Sequence, residues 1–157
     1  MKRRICFPCI GDSVGGSHKS AVLLIKGLIE NNNDVVVVVH EEGPLTRYLN
    51  DRNINYQIMG LPVYAGSSPS LIHILLSILC VAPKILWFLY ANDIDIVHGN
   101  DQRLNFSWSP VGSITRKQFI WHHRVFVSDS VMWKAISFLS NHIICISNAV
   151  YDTLPRN

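Results

Sequence analysis

Val35 to Val39 are five consecutive valines, flanked by Asp34 and His40. β-Branched side chains are stiff at χ1 and fit strands better than helices. A strand that is apolar at every position has no face to give to water, so both of its faces must be covered. That is the habit of a parallel sheet with helices packed on it, and it limits the chain to architectures that supply those helices.

The rest of the sequence supplies them. Strand patterns at residues 5–10, 34–40, 54–59, 94–98, 118–122 and 142–146 alternate with helical patterns at 17–29, 44–51, 70–90, 103–114 and 130–139. Ser147 caps a last short helix that ends near Pro155. The Gly, Pro and Ser content of residues 60–69 marks a loop. The expected fold class is therefore α/β: a Rossmann-like parallel sheet with helices on both faces. At 157 residues, 48% hydrophobic and 16% charged, the chain has material for one domain, residues 1–157, with a sizeable core.

The first predicted helix places Ala21, Leu24, Ile25 and Leu28 at the spacing of one buried face. Gly27 interrupts it at a cost of about 1 kcal/mol in helix propensity, which close packing against the sheet would offset.

Ligands of such sheets bind outside the carboxyl ends of the strands. Those ends are Gly11 to Ser17, His40 to Gly43, His98 to Arg103, His122 to Arg124, and Ser147 with Asn148. The first is the most telling. A strand that runs through Gly11, Gly15 and Gly16 into a helix start brings backbone N–H groups close to a ligand, which suits an anion or a phosphate. Lys19 lies in the first helical turn, where a cation opposes the helix dipole; it either faces that anion or is simply solvated. The spacing is not the G-x-G-x-x-G of a dinucleotide site. Glu41 and Glu42 alone do not rescue a dehydrogenase reading.

Other signals are set aside for physical reasons. Cys6 and Cys9 have the spacing of a redox or zinc pair, but an odd separation on a strand points them to opposite faces. No second pair completes a zinc site, so buried apolar thiols in a reducing cytoplasm are expected. Basic Met1 to Arg4 resembles the start of a signal peptide, yet Pro8 and Gly11 break the apolar segment behind it. The basic residues are scattered and the net charge is +3, so no nucleic-acid stripe is expected. Residues 71–90 are long and apolar enough to raise three readings: a membrane span, a helix packed on the sheet, and a helix that also rests on a membrane surface. His73, Pro83 and Lys84 within the segment argue against the span, whereas Trp87 and Tyr90 suit an interface.

Taken in order, Val14 to Lys19, the helix Ala21 to Leu28, the valine strand, Asp93 to His98, Trp121 to Arg124 and Ile144 to Ala149 resemble a known family. It is the amino-terminal domain of the group 1, family 4 retaining glycosyltransferases of the glycosyltransferase B fold. The resemblance implies an acceptor-side domain that transfers a hexosyl unit from a nucleotide sugar to a glycan or lipid-linked acceptor, in bacterial-type surface polysaccharide synthesis. It implies no metal and no further cofactor. It assigns His122 the place beside the reacting carbon, with His123 as fallback. Gly15, Gly16, Ser17, Lys19, Asn100 and Arg124 become donor- and acceptor-binding residues. His18 departs from the family, many of whose members are acidic there. The family's carboxyl-terminal nucleotide-binding domain is absent from residues 1–157, so this half alone is expected to be inactive, needing that domain or a partner chain. The expected location is cytoplasmic, peripheral on the inner face of the plasma membrane. A different class of reading is a non-catalytic subunit of a split enzyme that binds the acceptor or recruits it to the membrane. Residues 60–70 and the long helix are expected to shape the acceptor site.

Overall fold

A computed structural model describes residues 2–61, 71–127 and 130–155, with side chains for all of these but 71–75. Strands β1 (Arg4–Cys9), β2 (Asp34–Val39), β3 (Tyr56–Ile58), β4 (Ile96–Gly99), β5 (Gln118–His123) and β6 (His142–Cys145) form one sheet. Helices α1 (Gly16–Glu30), α2 (Pro44–Asn50), α3 (Leu71–Ala91), α4 (Asn105–Ile114), α5 (Val131–Leu139) and α6 (Asn148–Tyr151) connect or follow the strands. A 3₁₀ turn at Gln102–Leu104 leads into α4. The strand order is β3-β2-β1-β4-β5-β6, and every pairing is parallel. The chain winds outward from β1 in one direction and from β4 in the other. The reversal between β1 and β4 opens a crevice at their carboxyl ends.

The central strands are covered on both sides, as the valines require. On one face Ile5, Phe7, Cys9, Val37 and Val39 pack under α1 and α2. On the other Cys6, Val36, Val38, Val97, Phe119 and Trp121 pack under α3, α4 and α5. Cys6 and Cys9 thus lie in different cores, as strand alternation predicts. Burial raises both thiols, Cys9 to about 12, so neither is a thiolate at neutral pH.

Pro8 shapes the crevice. Even-numbered residues of β1 turn their backbone groups toward β4, as Arg4 does with Asp95. Pro8 has no N–H to offer there. The ladder from β1 to β4 stops at Cys6–Val97, while the ladder to β2 continues to Cys9–Val39. The strands therefore part just before their ends.

Two expectations for α1 are corrected. Its buried residues are His18, Ala21, Val22 and Ile25. Leu24 is 38% exposed, and Leu28 is only partly buried. Both sets obey the i, i+3, i+4, i+7 spacing, and counting His18 as polar selects the wrong one. Gly27 makes no close approach: a Cβ there would meet nothing within 4 Å.

Helix α3 buries Val81, Ile85, Phe88 and Leu89 against the sheet and leaves Leu76, Leu79, Trp87 and Tyr90 exposed. Among the described residues, no helix is long and apolar enough to cross a membrane. Of the loop expected to shape the acceptor site, residues 62–70 lie outside the described residues.

Candidate functional site

The crevice at the switch point is a cleft of about 540 Å³. Its walls come from the β1–α1 loop, the ends of β4 and β5, and α5, through Ser13, Gly15, Ser17, His18, Asn100, Asp101, Arg103, His122, Arg124 and Trp133.

The loop is tied down at both ends. Gly11 has a φ of +120°, and a Cβ on it would lie 2.0 Å from the carbonyl oxygen of Glu41. Only glycine fits where the β1–α1 and β2–α2 loops cross. Next to it Asp12 takes both terminal nitrogens of Arg103, at 2.6 and 3.0 Å. Arg103 also bonds Asp101, whose carboxylate caps the 3₁₀ turn by accepting the Arg103 N–H. This fork holds the Asp12 carboxyl below the usual carboxylate range.

Gly15 is the N-cap of α1 and has no side chain to accept the first-turn amides. His18 at the third helical position instead accepts the Gly15 N–H on Nδ1, at 3.1 Å. The amides that open α1 stay available, and no acidic residue lies in its first turn.

Asn100 joins three elements. Its Nδ2 donates to the Ser17 carbonyl at 3.1 Å, and its Oδ1 accepts Arg124 Nε at 2.9 Å. Arg124 also donates to Ser20 Oγ at 3.1 Å and meets His122 Nδ1 at 3.3 Å. Arginine only donates, so His122 Nδ1 is the acceptor and the ring proton sits on Nε2. Burial first, and then the Arg124 charge, push His122 down to about 4, so it is neutral at physiological pH. Behind it His98 lies edge-on at 5.4 Å, buried, with no hydrogen-bond partner on either nitrogen among the described residues. The two guanidinium groups differ. Arg103 is matched by two carboxylates, whereas Arg124 bonds the neutral Asn100, Ser20 and His122, and its partial burial leaves a cation suited to an incoming anion.

Of the residues singled out from sequence, Gly15, Ser17, Asn100, His122 and Arg124 meet in this cleft. Gly16 opens α1 in free space. Lys19 is exposed and outside the cleft lining. His123 turns to the opposite face, fully buried against Trp121 and near Thr153. Asp12, Asp101 and Arg103 lay within the strand ends marked from sequence but were not singled out, and His18 was noted only as a departure. The signal for His18 was its place three residues after the N-cap glycine.

No protein-family model and no curated protein sequence matches the chain. Solved structures do. MurG of Acinetobacter baumannii superposes over 99% of the chain with a TM-score of 0.70 at 15% identity. HepE of Anabaena, solved with UDP, covers 98% with a TM-score of 0.66 at 16% identity. A UDP-N-acetylglucosamine 2-epimerase covers 98% with a TM-score of 0.71 at 12% identity. The chain has the fold of one Rossmann-like half of a glycosyltransferase B protein. It spans 43%, 40% and 44% of the lengths of those three structures. In this half-fold the cleft of Arg124 and His122 lies at the carboxyl edge of the sheet, with the start of α1 as one wall.

Proposed function

We propose that the chain is the acceptor-side half of a retaining, metal-independent glycosyltransferase. Its donor is a nucleotide sugar, and its acceptor is a glycan or lipid-linked glycan of a surface polysaccharide. The observation that carries this reading is Arg124. It is a guanidinium fixed by three neutral partners, beside a helix start whose amides have no side-chain cap. Such a pair is suited to a diphosphate. Neutral His122, with its proton on Nε2, is a donor to the sugar near the reacting carbon. The dipole of α1 and Arg124 offset the charge that grows on the leaving diphosphate. UDP in the HepE structure supports the ligand class.

The test is a titration of the chain with UDP-glucose, followed by amide chemical shifts. Binding to this half alone is weak, and Arg124→Ala is expected to weaken it further by at least about tenfold, the worth of a charge-assisted hydrogen bond. Equal affinities would remove Arg124 from the site.

A second reading rests on α3. The exposed Leu76, Leu79, Trp87 and Tyr90 support a peripheral contact with the inner membrane face, and with it a subunit that brings a lipid-linked acceptor to the cleft. Under this reading the chain co-sediments with phospholipid vesicles, and Trp87→Ser with Tyr90→Ser releases it. Vesicle binding that is absent, or unchanged in the double variant, would end this reading.

A further inference from the structure

We propose that His18 and Asp101 form a hydroxyl-binding notch in the cleft. One sugar hydroxyl sits between them, accepting the Nε2–H of His18 and donating to the Asp101 carboxylate. This rests on the reading of the cleft as a sugar site and adds a residue pair to it.

Among the described residues, the His18 ring is bonded on one side only. Its Nδ1 accepts the Gly15 N–H, so in the neutral ring the proton is on Nε2. That nitrogen is buried, in a residue only 5% exposed, and has no hydrogen-bond partner among the described residues. An unmade buried hydrogen bond costs about 1–3 kcal/mol, so such a donor calls for a partner. The carboxylate that faces it is Asp101, whose Oδ2 lies at 3.9 Å, beyond hydrogen-bond reach.

Neither side is free to close the gap. Asp101 is pinned by the Arg103 amide at 3.1 Å, by Nε at 3.2 Å and by a terminal nitrogen at 3.0 Å. His18 is held by α1 and by Gly15. One oxygen about 2.8 Å from each of two points at this separation would bridge them. That oxygen must accept from the ring and donate to the carboxylate, which a hydroxyl does. A phosphate or carboxylate oxygen would meet the Asp101 charge, and an ammonium would meet the N–H. Arg103 already donates to both Asp101 oxygens, and the Nε2–H on the other side of the notch opposes a cation.

The choice of residue points the same way. Capping α1 needs only an acceptor at the third helical position, and glutamate or glutamine provides it. Histidine provides the same acceptor and, across the ring, a donor that faces Asp101.

The test uses nitrogen-15 NMR of the His18 ring, with methyl α-glucoside, galactoside and mannoside as hydroxyl probes and UDP as the phosphate probe. The expected ring is the Nε2–H tautomer, and its Nε2 signal moves saturably with at least one glycoside. His18→Glu keeps the acceptor for Gly15 and removes the donor. It is expected to weaken the glycoside response of the Asn100 and Gln102 amides at least about tenfold. An Nδ1–H tautomer, a signal that no glycoside moves, or a full glycoside response in His18→Glu would overturn the notch. UDP binding with no glycoside response defeats the notch alone. A glycoside response without UDP binding defeats the nucleotide-sugar reading and leaves the notch.

Discussion

Acidification from pH 6.5 to pH 4 is expected to remove most or all of the stability of this chain. His40 and His98 are 3% and 4% exposed, and both are pushed from the ordinary 6.5 down to about 4. Burial is the main cause for each. For His40 the Asp101 carboxylate opposes it and Lys84 adds to it, while for His98 the His122 ring and Arg124 add to it. His40 has a further reason to stay neutral, because its Nε2 accepts the indole N–H of Trp108 at 3.1 Å. Protonation there would break a buried hydrogen bond.

The sign follows from proton counting. Below about 6.5 the unfolded chain protonates these rings and the folded chain does not. The unfolded state then binds more protons, and stability falls as pH falls until about 4. Each ring contributes up to about 3 kcal/mol, and the pair together is comparable to the whole stability of a small domain. His122 shifts in the same direction. Circular dichroism during acid titration checks this, with a midpoint expected between those two pH values. His98→Phe should move the midpoint to lower pH. A signal unchanged down to pH 4.5 would contradict the burial of both rings.

Gly11→Ala is expected to cost about 3 kcal/mol or more, and Gly16→Ala almost nothing. At Gly11 the backbone sits at φ +120° and the new Cβ would overlap the Glu41 carbonyl at 2.0 Å. Left-handed strain and overpacking each cost about 1–3 kcal/mol. The opposing loop cannot yield easily. A Cβ on its Gly43 would stand 2.6 Å from the Gly11 carbonyl, and the Leu45 N–H already bonds that carbonyl at 3.1 Å. At Gly16 the same added carbon meets nothing within 4 Å, and alanine is the better helix former. Urea unfolding of the two variants measures the difference. Equal midpoints would show that the loop crossing is not rigid.

The contrast shows what the sequence could and could not reveal. Strands were legible because runs such as Val35 to Val39 admit one environment, and strand alternation separated His122 from His123 before any coordinates. The place of the cleft followed from the strand ends. Which glycine of the loop is essential did not follow, because the clash at Gly11 comes from Glu41, thirty residues away. The face of α1 was ambiguous for a related reason. Two sets of positions share one period, and only the sheet beneath decides between Leu24 and Val22. The fork from Asp12 to Arg103 spans 91 residues and leaves no local trace. His18 was visible as a departure, but its two hydrogen-bonding sides acquire meaning only beside Gly15 and Asp101.

Under the proposed function the switch-point cleft, with Arg124 at its wall, receives the diphosphate of a nucleotide sugar. Mapping the amide shifts of the chain during the UDP-glucose titration tests it most directly. Saturable shifts are expected at the start of α1, at Gly15, Gly16 and Ser17, and at Asn100 and Arg124, with the exposed Lys26 and Glu30 end of α1 unmoved. Shifts scattered over the surface, or none at the start of α1 and the end of β5, would contradict it.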